Sequence, residues 1–184
     1  MESTVETISG IKKTWLQFEK GKVSAVTVDM GTPNFEREQI PMIGKGRFID
    51  QVIDVDDSSY RATCLSVGNP HCVIFVDDVD RFPVQSAGPK IENHQLFPRR
   101  INVEFVQVLK RDELKVRVWE RGVGETYACG TGACASVVAA NLLGKIDQMC
   151  TVHLLGGALD VKYVNDRILM SGPAETVFEG VMNL

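Results

Sequence analysis

The sequence predicts an α+β fold in which many strands wrap one buried helix, and three observations predict it. Most of the chain reads as short runs with alternating apolar and polar residues, separated by turn residues. One stretch alone carries a clear helical signature, Gly132 to Leu143 (GACASVVAANLL), with Gly144 as the expected stop. That helix is almost wholly apolar or small, so it offers no polar face to water and is buried on all sides.

The elements follow in order. Thr4 to Ile8 reads as a strand, followed by Ser9-Gly10. Ile11 to Phe18 is the second, Glu19-Lys20-Gly21-Lys22 the turn, and Val23 to Met30 (VSAVTVDM) the third. Thr32 to Gly46 holds two prolines and two glycines and is expected to be a connecting loop. Strands are expected again at Phe48–Val55, Arg61–Val67, Cys72–Val76, Asn102–Val108 and Glu113–Glu120. The segment DDVDRFPVQSAGPKIEN reads as a short helix interrupted by Pro83. Further strands are expected at Met149–Leu154, Leu159–Val164, Arg167–Ser171 and Thr176–Glu179.

The 184 residues suffice for one substantial core or two small ones. Apolar residues make up 44% and the formal net charge is −4, which gives no electrostatic case for nucleic acid or an anionic membrane as partner. No apolar run approaches the ~18 residues of a membrane span, and MESTVETISG has neither the basic start nor the apolar stretch of a signal peptide. A cytoplasmic location is therefore expected. Five cysteines, at 64, 72, 129, 134 and 150, include no CxxC pair, so free thiols are expected rather than zinc ligands or a redox dithiol.

Cys129-Gly130-Thr131-Gly132 opens the apolar helix. Two glycines let the backbone approach a ligand, and the unpaired N–H groups of a first helical turn suit a carboxylate. A cysteine placed there is expected to have its thiol pKa lowered and to serve as a proton acceptor. The competing reading is a structural cysteine with glycines for packing. Glu120-Arg121-Gly122 precedes this turn at the end of a strand. Arg121 suits a substrate carboxylate and Glu120 can orient a neighbouring thiol, although such pairs are commonly solvated ion pairs. Glu125 reads more simply as a loop or capping charge.

Gly68-Asn69-Pro70-His71 marks a rigid turn between strands, where His71 suits a general base or an orienting group. A structural histidine is the plainer alternative, and it is the reading for His94 and His153. Asn102, opening a strand in Arg100-Ile101-Asn102-Val103-Glu104-Phe105, could donate to a carboxylate or simply cap a turn.

Together and in this order, GNPHCV, RINVEF, ERGVGETYACGTGACA and SGPAETVFEG resemble the diaminopimelate epimerase family, and the likeness runs through the whole chain, including TVETISGIKK and VDMG. The resemblance implies a fold of two pseudo-symmetric halves, each a curved mixed sheet around a central helix, with the active site between them. It implies an isomerase of lysine and peptidoglycan-precursor biosynthesis that interconverts LL- and meso-diaminopimelate without a cofactor. Cys129 then matches one of two cysteines that act as acid and base on opposite faces of the α-carbon, Glu120 the carboxylate assisting it, and His71 the histidine assisting the other cysteine. Asn69, Asn102 and Arg121 match groups holding the distal end of the substrate. Gly130 and Thr131 match the backbone clamp on the reacting carboxylate.

The family's other cysteine stands in an Asn-Gly-x-Arg-Cys segment, which is not in this sequence, and none of the other four cysteines has its glycine context. By the family pattern, residues 1–29 are expected to be terminal strands of a first half, 30–173 the second half, and 174–184 a tail returning to the first. Inversion without an electron sink needs one group to remove the α-proton and another to deliver a proton to the opposite face. A chain with one such thiol is therefore expected to be inactive alone, and exposed edges of an incomplete half favour a homo-oligomer. The alternatives are a related cofactor-independent isomerase with another substrate, or a non-catalytic binding module of the same fold. No His/Cys/Asp cluster has the spacing of a metal site.

Overall fold

The computed structural model describes residues 1–7 and 10–182. Among these, twelve strands and two α-helices follow in the order β1 (Glu2–Thr7), β2 (Gly10–Glu19), β3 (Lys22–Gly31), β4 (Phe48–Val55), β5 (Ser58–Ser66), β6 (Pro70–Phe75), α1 (Val84–Glu92), β7 (Asn102–Lys110), β8 (Glu113–Glu120), β9 (Gly124–Thr126), α2 (Gly130–Leu142), β10 (Met149–Leu154), β11 (Gly157–Val164) and β12 (Arg167–Pro173), with one 3-10 turn at Arg37–Gln39 between β3 and β4. Ile8 and Ser9, expected at the end of the first strand and in its turn, lie outside the described residues.

All the strands join one mixed sheet in the order β1-β2-β3-β12-β11-β10-β8-β7-β6-β5-β4, with β9 added at β8. The pairs β6–β7 and β8–β10 are parallel; the other ladders are antiparallel. Each parallel pair is bridged by a helix-bearing crossover, α1 between β6 and β7, and α2 between β8 and β10, as parallel pairing requires.

The helix α2 is buried over Gly132–Ala140, and its small side chains let strands close around it. The core on that side takes Val73, Val106, Val116, Val118, Val152, Val161 and Ile168 from six strands. A second core lies on the other face of β5–β7, where Ile74, Val103 and Phe105 meet Val84 and Ile91 of α1. Strands β6 and β7 are thus covered on both faces, which is why Pro70–Ile74 and Asn102–Val106 are buried without interruption.

Three expectations need correction. Pro83 does not interrupt a helix: it is the N-cap residue of α1, where its missing N–H costs nothing, and Pro89 is the proline accommodated inside. Thr176–Glu179 forms no strand; its residues are exposed, with Val177 and Phe178 both above 80%, and nothing pairs with them in the sheet. The short β9 was not foreseen, because three residues carry too little pattern to read.

Candidate active site

Cys129 is the N-cap residue of α2, with extended backbone (φ −136°, ψ 107°). The Gly132 amide donates to its Sγ at 3.3 Å, and Thr131 Oγ1 stands 3.5 Å from the same sulfur. With Gly132 so engaged, Gly130 and Thr131 head the first turn without intrahelical acceptors, the pair expected to face a carboxylate. Gly132 must be glycine for a packing reason: a Cβ there would lie 2.9 Å from Glu104 Oε1 and 3.3 Å from the Cys129 sulfur.

The expected lowering of the Cys129 thiol pKa is reversed. Burial of the sulfur and the nearby Glu104 carboxylate push it up; the Thr131 hydroxyl and the Gly132 amide pull it down; Glu120 adds a smaller upward push. The net direction is upward, so the resting group is a thiol rather than a thiolate. The helix-start donors are present as anticipated, but sequence reading did not place a second carboxylate beneath them. Cys134, one turn and a half further along α2, is pushed up to about 12 by burial.

The turn between β5 and β6 sets Asn69 and His71 below α2. His71 is wholly buried, its Nδ1 2.7 Å from Glu104 Oε1 and its Nε2 3.0 Å from Asn69 Oδ1, while Asn69 Nδ2 donates to Thr131 Oγ1 at 3.1 Å. Because β6 and β7 are parallel with His71 opposite Asn102, Glu104 falls two residues on, on the same face as His71. Asn102 works as a strut: its Nδ2 donates to Pro70 O at 2.8 Å and its Oδ1 accepts the Arg121 amide at 2.9 Å, tying the Asn-Pro turn to the Glu-Arg-Gly turn.

Glu120, at the end of β8, accepts a short hydrogen bond from the Thr126 hydroxyl on β9, which fixes its carboxylate. The Arg121 side chain is exposed, with Nη1 3.4 Å from Arg99 O. Gly122 has φ +77°, a left-handed conformation that favours glycine, and its amide donates to Glu92 Oε1 at 2.7 Å. Glu92 Oε2 accepts Trp119 Nε1 at 2.7 Å, so α1 holds both ends of this turn. Glu125 is committed elsewhere, paired with Arg117 at 2.6 Å and with Gln85.

The structure thus brings Cys129, Thr131, Asn69 and His71 into one network and sets Asn102 and Arg121 beside it. His94 and His153 lie apart, the former bonded to Asp54 O and the latter 3.9 Å from Glu113. Sequence reading missed Glu104 and Glu92. The signal for Glu104 was available: one carboxylate between Val103 and Phe105 in an otherwise apolar run needs a buried partner. Glu92 closes a helix that reads as surface, and nothing in the sequence marks it.

The fold defines a class: a mixed sheet around a central helix, shared with solved epimerase and racemase structures. A hydroxyproline epimerase from Agrobacterium vitis superposes with a TM-score of 0.68 at 15% identity, covering 94% of this chain and 56% of that one. The particular family follows from sequence. The family model for diaminopimelate epimerase matches residues 63–177, and this chain belongs to that family. It is 54% identical over 182 residues to the diaminopimelate epimerase of Moorella thermoacetica and 53% identical over 178 residues to that of Pelotomaculum thermopropionicum. Those alignments cover 97% and 96% of this chain but 65% and 64% of the relatives, so the chain spans about two thirds of their length.

Proposed function

We propose that this chain supplies one acid–base face of a diaminopimelate epimerase, with Cys129 as the group that exchanges a proton with the substrate α-carbon. The observation that carries the proposal is the setting of Cys129: a thiol at the head of a helix buried over Gly132–Ala140, with the Gly132 amide donating to its sulfur, the Thr131 hydroxyl 3.5 Å from it and a clamp of first-turn amides beside it.

The α-proton of an amino acid is very weakly acidic, so its removal needs the charge on the adjacent carboxylate to be held by oriented dipoles. The amides of Gly130 and Thr131 supply them. Cys129, a thiol at rest, delivers a proton to one face of the α-carbon and becomes a thiolate stabilised by Gly132 and Thr131; in the reverse direction the thiolate takes the proton. Glu120, fixed by Thr126, assists Cys129. In this reading His71 assists the thiol of the opposite face. Arg121 binds the distal carboxylate, with Asn69 and Asn102 shaping that end. No step calls for a cofactor. The face around Cys129 is open, with Arg121, Val123 and Tyr127 exposed, and epimerisation needs water kept from it.

The domain reading is proposed with it: residues 30–173 form the half around α2, while 1–29 and 174–184 belong with a half that carries the opposite thiol. The exposure of all of β1 supports a covering partner, either that half or a second copy of this chain. The test incubates the 184-residue chain with LL-diaminopimelate in D2O, reading α-deuterium by mass spectrometry and configuration by chiral chromatography. Deuteration without inversion, lost in Cys129→Ala, is expected. Robust conversion to the meso form would overturn the one-thiol reading, and deuteration that persists in Cys129→Ala would remove Cys129 from its role.

A further inference from the structure

The buried and part-buried polar atoms beneath α2 form one continuous path. It runs from Glu104 Oε1 to His71 Nδ1 (2.7 Å), from His71 Nε2 to Asn69 Oδ1 (3.0 Å), from Asn69 Nδ2 to Thr131 Oγ1 (3.1 Å), and from Thr131 Oγ1 to Cys129 Sγ (3.5 Å). Asn69, Thr131 and Cys129 have roles in the reading above; Glu104 has none.

The hydrogens of this path can be counted. Asn69 turns its Nδ2 to Thr131, so the oxygen of the same amide faces His71, and both nitrogens of the His71 ring look at oxygens. Two acceptors do not bond without a hydrogen between them. Nε2 therefore carries a hydrogen, and a further proton lies between Nδ1 and Glu104 Oε1. His71 and Glu104 together hold two protons and no net charge, either as imidazolium with carboxylate or as imidazole with carboxylic acid.

The alternative leaves Nε2 bare and Glu104 ionised against a neutral ring. That places net negative charge where both side chains are wholly buried and where Glu104 Oε2 is without a hydrogen-bond partner. Burial of an uncompensated charge with an unpaired oxygen is the costlier state. From Nε2 onward every group then donates in one direction. His71 donates to Asn69 and Asn69 to Thr131; Thr131, having accepted, turns its own hydrogen toward the Cys129 sulfur.

We propose that Glu104 is a positioning residue that fixes the direction of this hydrogen-bonded chain, so that its last donor, the Thr131 hydroxyl, points at the Cys129 sulfur. The inference deepens the epimerase reading and takes its significance from it. Its consequence is a link between His71, assigned to the opposite thiol, and Cys129. Glu104 also sits close under Gly132, beside the thiol whose donor it orients. The groups facing Cys129 are Glu104 from β7, Glu120 from β8 and Cys134 from α2; those facing Glu104 are His71 from β6 and Cys129, with Cys72 on the opposite face of β6.

The first test needs no variant and no substrate. Nitrogen-15 NMR of the histidine-labelled chain at neutral pH is expected to show His71 Nε2 protonated; a bare Nε2 overturns the proposal. The second reads the rate of Cys129 alkylation by iodoacetamide against pH, site by site, by mass spectrometry. Thr131→Val is expected to slow Cys129 at neutral pH by roughly three- to tenfold, since it removes a donor from the thiolate. Glu104→Gln, whose amide N–H can still donate to His71 Nδ1, is expected to keep Nε2 protonated in the nitrogen-15 spectrum, with thermal unfolding showing that the variant is folded; a bare Nε2 in this variant overturns the positioning role. An unchanged Cys129 rate in Thr131→Val means that the hydroxyl points to Asn69 and sinks the proposed direction. These outcomes are independent of α-deuterium exchange, so failure here and failure of the epimerase reading are told apart.

Discussion

The strands β1–β3 and the strands around α2 belong to one sheet, yet they are held by different physics. Around α2, nine helical residues are buried and the strands β6 and β7 are covered on both faces. In the three-stranded wing all six residues of β1 are exposed and β2 buries only Thr14. The ladders are equally complete in both regions. Hydrogen bonding therefore does not distinguish them, and burial does: ladder bonds replace bonds to water at small net gain, whereas removing apolar surface from water supplies most of the stability. The wing is a set of exposed strands; the body is its own core.

If that difference is real, its largest expression is in the body. Phe105, wholly buried on β7 and stacked on Phe82 with ring centroids 4.6 Å apart, should cost ~3–5 kcal/mol on change to alanine. Urea unfolding would read this as a large fall in midpoint, and a loss below ~1 kcal/mol would break the comparison. Glu92→Ala ranks next, at ~2–3 kcal/mol, because it leaves the amide of Gly122 and the indole N–H of Trp119 without acceptors. Its thermal midpoint should fall, and the Arg121 turn should become the first segment to exchange its amide hydrogens.

Both regions were legible, and in the wing β2 and β3 extend one residue beyond each end of their predicted runs. The limits of β4, β8 and β10 coincide with their predicted runs, and the helix was read within two residues of its start and one of its end. An apolar helix with glycine at its end and period-two strands leave few other solutions. Cys129 and the Gly-Asn-Pro-His turn were visible as chemistry because their residue types are unusual for their positions. The direction of the Cys129 pKa was not visible, since it depends first on burial of the sulfur and then on Glu104, twenty-five positions away in sequence and brought beside the thiol only by the fold. For the same reason Asn102, expected to reach for a ligand, has its carbonyl and an amide hydrogen already engaged between two turns.

Where wing meets body, β3 pairs with β12, and Asp29 is tied to Arg167 across the seam. Burial of Asp29 raises its pKa, but the hydrogen bond from Arg167, the Gly31 amide and the charges of Arg167 and Lys12 outweigh it and hold the carboxyl below the usual range. A depressed pKa in the folded state stabilises the fold above the unfolded value of ~3.9 and ceases to do so as pH falls through the folded value. Asp29→Asn should therefore cost up to ~1 kcal/mol at neutral pH, where Arg167 is partly exposed, and nothing at the acid end. Denaturant titrations at pH 7 and in strong acid would show the two proteins converging; a gap that persists at low pH would mean packing rather than charge holds the seam.

The smallest effect should lie at the outer strand. Val5 on β1 is 48% exposed, opposite Lys12, and its change to alanine removes side-chain atoms that already face water. A loss of ~0.5 kcal/mol or less is expected. This variant is the sharpest test of the comparison because it has the least room to vary. A substantial loss that grows with protein concentration would show β1 covered by a second copy in solution, and the wing would then have a core after all, borrowed across an interface.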